Sequence, residues 1–177
     1  MGGGKDVTYA SPGAGTPHHL VAEAIARASG IAFVHIPYKG TGPALTDLVS
    51  GRVDMLFAMP AGVQPMVSAG KLKILAAASP ERFPLLPTTP TVGETFAGVG
   101  IPTVDMGLAA PAGTPATIVA RLNDEMMRVL ALPEIRQTLL DNGMISMAGT
   151  PEAYRQRMTA ARTEREPMIG AAGVKAD

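Results

Sequence analysis

Proline and glycine punctuate this 177-residue chain in an order that narrows its fold more than any other feature. Proline stands where helices would begin, at Thr16-Pro17, Gly42-Pro43, Thr114-Pro115, Leu132-Pro133 and Thr150-Pro151. At the first helical position proline forfeits no hydrogen bond, its fixed φ suits the helix, and a preceding Thr or Gly is a natural cap. Glycine closes several of these segments, at Gly30, Gly51, Gly70 and Gly143, where a left-handed residue ends a helix. The brackets predict helices near 17–29, 43–50, 60–69, 115–131, 133–142 and 151–166, with Pro65 inside the third.

Short apolar runs fill the gaps at 31–36, 53–58, 72–77 and 103–109, with a weaker one at 144–147. Runs of this length alternating with helices predict an α/β fold with a mostly parallel sheet. The stretch from Ser79 to Pro102 is rich in Pro, Thr and Gly. It is expected to wander over the surface as a passage between lobes.

Composition excludes several function classes. Fifteen basic and fifteen acidic residues cancel, leaving no electrostatic footprint for nucleic acid. A hydrophobic fraction of 46% against 17% charged residues reads as a globular chain with a core. Cysteine is absent, which removes disulfides, thiolate nucleophiles and cysteine-ligated metals. No apolar stretch reaches the roughly 20 residues a bilayer requires. Met1–Asp6 has no apolar core of a signal peptide, so none is expected within this chain, and these residues read as a leader or truncation scar.

The segment Tyr9–Leu20 carries the most chemical information. A short strand leads into a small-residue loop and then into a well-capped helix. Such loops offer backbone N–H groups, backed by the helix dipole, to an anion. Ser11 and Thr16 add hydroxyls, while Gly13 and Gly15 let the backbone approach closely. A carboxylate or phosphate would fit; alternatively, Thr16 only caps the helix and the glycines only make the turn.

Other motifs are absent. Gly13-Ala14-Gly15 lacks the third glycine of a dinucleotide fingerprint, because position 18 is His. His18 and His19 are adjacent and on a helix point about 100° apart, so they cannot chelate one metal together. Neither a metal nor a cofactor is expected. A Ser11–His19 catalytic pair is conceivable but has no evident carboxylate to orient the imidazole. His35 reads as a satisfied histidine inside an apolar strand. Two further loops, Pro37–Pro43 and Ala58–Gly62, follow strands and should open on the same sheet edge, where Lys39 could supply positive charge. Asp47 and Asp54 read as structural.

Together, Tyr9–Ser11 through His19-Leu20, His35–Gly40 with Pro43–Leu45, Gly51–Asp54 with Phe57, Gly70–Lys73, Pro87–Thr91 with Glu94, Ala110–Pro115, Leu139–Gly143 and Thr150–Glu152 form an ordered set of blocks. In order and spacing, from Lys5 to about Val174, these blocks resemble Bug-type extracytoplasmic solute receptors. Those proteins are the binding components of tripartite tricarboxylate transporters.

The resemblance implies a periplasmic-binding-protein-like, Venus-flytrap architecture that closes on a small carboxylate, in the periplasm, beside membrane transporter subunits and without enzymatic chemistry. It implies that residues 7–102 are the second ligand-binding lobe and that 103–177 would complete the first. It also implies that the family's remaining lobe and secretion signal have no match in this chain. Ligand contacts are expected from Ser11, Gly13, Ala14, Gly15, Thr16, His19, Lys39, Gly40, Ala58 and Met59. The family favours tryptophan in the strand before Ala110-Pro111, where this chain has Asp105-Met106. Apolar surface between Val104 and Ala148 is expected to draw two copies into a homodimer. Two other function classes are an α/β hydrolase using Ser11 and His19, and a structural remnant with no ligand.

Overall fold

The computed structural model describes residues 6–102 and 104–173. Strand β1 (Val7–Ser11) leads into helix α1 (Pro17–Ser29), then β2 (Phe33–Pro37), α2 (Thr41–Val49), β3 (Met55–Leu56) and α3 (Pro60–Ser68). The three strands form one parallel sheet in the order β2-β1-β3. Crossovers of fixed hand that step first to one side of β1 and then to the other place their helices on opposite faces. Side chains follow that division. Ala10 packs with Ala44 of α2 and with Val53, whereas Tyr9, on the other face with Ser11, meets α1.

Local signals explain why the helices form where they do. Thr16 caps α1 by accepting from His19 N–H, Pro17 opens it, and Gly30 ends it at φ 69°. Leu20, Val21 and Ala22 are buried along its inner face. Burying a side chain the size of Leu20 contributes about 2 kcal/mol. Two structural aspartates tie the strand ends. Asp54 accepts from the Thr8 N–H and hydroxyl at 2.9 and 2.7 Å. Asp47 accepts from Tyr38 at 2.8 Å and Arg52 at 2.9 Å.

Several expected boundaries shift. Helix α2 begins two residues before Pro43, with Gly40 as its cap. The next long helix begins at Ala116, with Pro115 as cap and not as first residue. The last runs to Ala171, through Pro167 and beyond the expected end at 166. In the expected surface passage, α4 (Val92–Thr95) forms on a capping box between Thr91 and Glu94. Arg82 grips the Glu94 carboxylate with two nitrogens, at 2.8 and 2.5 Å. That fork, and next the Thr91 backbone N–H, hold the Glu94 carboxyl down at about 2.

Three expected strands do not form. Residues 72–77 contribute one isolated bridge, Ala77 to Thr91. Residues 104–109 and 144–147 make no ladder, and position 103 lies outside the described residues. The reason is geometric: a strand exists only beside a hydrogen-bonded neighbour. β3 is two residues long and offers 72–77 almost no template, while 104–109 and 144–147 meet no strand among the described residues. Their apolar side chains stay exposed: Val104, Met106, Leu108, Ile145 and Met147 all keep more than half their surface. The remaining elements are helices: α5 (Ala116–Ala131), α6 (Pro133–Asp141), which packs on α5, and α7 (Pro151–Ala171).

Candidate functional site

Strand order reverses direction at β1, so the crevice at its carboxyl end is the switch point where open α/β sheets receive ligands. Ser11 closes β1 there and is fully buried. Its hydroxyl donates to Gly13 O at 2.9 Å and accepts from Gly13 N–H at 3.2 Å. His35 Nε2 lies 2.7 Å from the same oxygen. A serine has one proton to give, and Gly13 O takes it, so His35 Nε2 is the donor in that contact. Thr16 Oγ1 also donates to Gly13 O at 2.8 Å. Gly15, at φ 73°, donates its N–H to His19 Nδ1 at 3.1 Å.

Behind the loop lies a stack of rings. Tyr9 and His35 face each other across the β1–β2 ladder, with ring centres 4.8 Å apart and planes 13° from parallel. His19 stacks on His35 at 4.1 Å. Glu23, one turn after His19, accepts from the Tyr9 hydroxyl at 3.0 Å and approaches His19 Nε2 at 3.8 Å. Burial, with the Glu23 contact second, pushes the Tyr9 phenol well above its ordinary value. Burial first and His19 second lower the His35 pKa, with Glu23 opposing.

After these bonds, the Ala14 N–H has no acceptor among the described residues, and the Thr16 N–H makes only a loose turn toward Gly13 O. They stand at the amino end of the 13-residue helix α1, where the helix dipole favours negative charge. Ala14 is exposed. The Pro37–Gly40 loop is bonded alongside, through Tyr38 N–H to Ser11 O at 3.0 Å and Gly40 N–H to Pro12 O at 3.2 Å. Lys39 is exposed in that loop. Ala58 and Met59 follow β3 on the same edge. Met59 caps α3 and, with Pro60, packs on the Gly143 turn, where an added Cβ would lie 2.8 Å from Pro60 Cδ.

The structure breaks up the Ser11–His19 pair. His19 bonds Gly15, Ser11 bonds His35, and Ser11 has no exposed surface from which to attack a substrate. His35, read from sequence as a satisfied histidine, has Ser11 as its partner. Its place in the loop's support, and that of Tyr9 and Glu23, went unread. The signals were Tyr9 and Ser11 at strand spacing and His19 and Glu23 one helical turn apart. His18 points elsewhere, its Nδ1 buried without a partner among the described residues.

The profile of a family described as "Tripartite tricarboxylate transporter family receptor" matches residues 3–174. The chain belongs to that family. A relative from Pseudomonas sp. (strain P51), the UPF0065 protein in the tcbD-tcbE intergenic region, is 34% identical over 163 residues, covering 90% of this chain and 47% of the relative. The chain thus spans about half that relative's length. Among solved structures, periplasmic binding protein BugD superposes with a TM-score of 0.76 at 26% identity, over 97% of this chain and 58% of BugD. R. palustris Rpa4515 with adipate superposes at 0.79 with 27% identity, over 96% and 56%. The receptor chain therefore has the periplasmic-binding-protein fold, as a parallel α/β lobe with a largely helical continuation.

Proposed function

We propose that this receptor chain captures a small carboxylate at the Ser11–Thr16 loop, for a tripartite tricarboxylate-type transporter with membrane subunits, in the periplasm. The observation that carries the reading is the pair of N–H groups at Ala14 and Thr16. Neither makes a close internal hydrogen bond, and both stand at the head of α1, on the sheet edge where such folds bind. The adipate in the R. palustris neighbour supports a carboxylate as the anion. Ala14, Gly15 and Thr16 form the contact, Ser11, Gly13 and His19 shape it, and Lys39, Gly40, Ala58 and Met59 border the same edge. No catalytic step is assigned, in keeping with a receptor family.

Residues 7–102 act as one ligand-binding lobe, and 103–177 belong to the other. A flytrap holds its ligand from both lobes, so this chain alone binds weakly, with Kd on the order of 1 mM, about −4 kcal/mol. Gly15→Val forces a β-branched residue into the left-handed region, at about 1–2 kcal/mol, and moves the loop. Adipate titration followed by amide NMR should show shifts at Ala14 and Thr16 in the native chain, and none in the variant, while circular dichroism stays the same. Equal affinity in both proteins would remove the loop from the binding site.

A further inference from the structure

We propose that His19 is a pH-sensitive positioning residue for this loop, latching Gly15 through its unprotonated Nδ1 and releasing it when that nitrogen takes up a proton. The inference deepens the carboxylate-site reading and rests on that reading only for its ligand arm.

The latch is built from geometry. Gly15 N–H donates to His19 Nδ1 at 3.1 Å, so in this arrangement Nδ1 carries no proton and Nε2 does. Nε2 points toward Glu23, 3.8 Å away. A proton on Nδ1 would set two N–H groups against each other and leave Gly15 without its acceptor. The positive charge would also lie stacked on His35, 4.1 Å away. Gly15 holds a left-handed φ of 73° between Ala14 and Thr16, so freeing Gly15 lets the backbone that carries both N–H groups move.

The groups facing His19 are Glu23 from its own helix, Tyr9 from β1 and His35 from β2. The Tyr9 hydroxyl is already engaged on Glu23, at 3.0 Å. Helix α7 meets α1 near its far end, where Arg27 and Ala28 lie close to Met168. Ser11 works differently. It accepts from His35 Nε2–H whether or not the other ring nitrogen is protonated, so the Ser11–Gly13 half of the loop stays fixed while the Gly15 half responds.

Amide NMR of the full chain between about pH 8 and pH 5, across the histidine range, tests the latch. The Gly15 resonance should move with the same midpoint as the His19 ring. His19→Asn places a side-chain oxygen near the Nδ1 position and does not titrate, so its Gly15 resonance should stay put. Glu23→Gln keeps an acceptor for Tyr9 but removes the charge, and should lower the pH at which Gly15 moves. This second variant decides the matter if His19→Asn fails to fold.

With adipate as probe, affinity should fall from pH 8 to pH 6 in the native chain, by no more than about tenfold, the size of one lost hydrogen bond, and stay level in His19→Asn. Both pH values lie above the usual carboxylate range of about 4, so adipate itself stays charged. A Gly15 resonance that ignores pH while the His19 ring titrates, or that moves equally in His19→Asn, overturns the latch. Gly15 titration without any adipate-induced shift supports the latch and overturns the carboxylate reading.

Discussion

Tyr9 and Ala10 have no exposed surface, and Leu20, Val21, Val53 and Val92 keep 4% or less; all lie in residues 6–102. Among the described residues 104–173, Ala161 is the buried apolar side chain, while Met106 is 77% exposed and Ile145 67%. Helix α5 half-buries the stripe Val119, Met127 and Leu130, yet leaves Ile118, Leu122, Met126 and Val129 in the open. Both regions are rich in Leu, Val, Ile and Met. What differs is closure. The first region folds its strands and helices over each other, and the second is a string of helices with one apolar face uncovered. Helices bond internally and form without that cover, whereas strands need a neighbour.

The largest test of this contrast uses matched truncations. Leu20→Ala should lower unfolding free energy by about 3 kcal/mol, because it opens a cavity in a packed face. Leu122→Ala, at a side chain 44% exposed, should change it by less than about 0.5 kcal/mol. Urea unfolding measures both, and equal losses would mean that α5 is covered in solution.

A smaller effect concerns that cover. We propose that two copies of the chain pair through the apolar face running from Val104 to Ala148. Light scattering should then give a dimer mass that falls toward the monomer as concentration drops, and Leu122→Glu should give the monomer throughout. A native monomer at all concentrations would end the proposal.

The smallest effect is the pH dependence, and its shifted groups sit in the first region. His35 is held below its ordinary 6.5, chiefly by burial, so the unfolded chain takes up that proton first. Its stability is present above 6.5 and declines as pH falls below it. Glu94 is held at about 2 by Arg82, against 4.5 ordinarily, so its contribution is present above 4.5 and lost as pH falls toward 2. Melting temperature against pH should show both declines, and Glu94→Gln should remove the second alone.

Much of the site was legible because it is local. The helix brackets around Pro17 and Gly30 and the capping role of Thr16 need only neighbours in sequence. The Thr91–Glu94 capping box is equally local, four residues with the standard spacing inside a proline-rich stretch. The partnership of Ser11 with His35 was not legible. It joins two strands through the register that sets Tyr9 opposite His35.

The sequence by itself determined where helices start and stop, which loop is rich in small residues at a helix head, and, through its ordered blocks, the receptor family. Those features depend on backbone φ preferences and hydrogen bonds within a few residues. Only the tertiary structure decided which apolar runs became strands and that His19 serves Gly15 and not Ser11. Strand pairing and side-chain hydrogen bonds between distant residues are settled by what the fold brings within about 3 Å, a distance that no local pattern encodes.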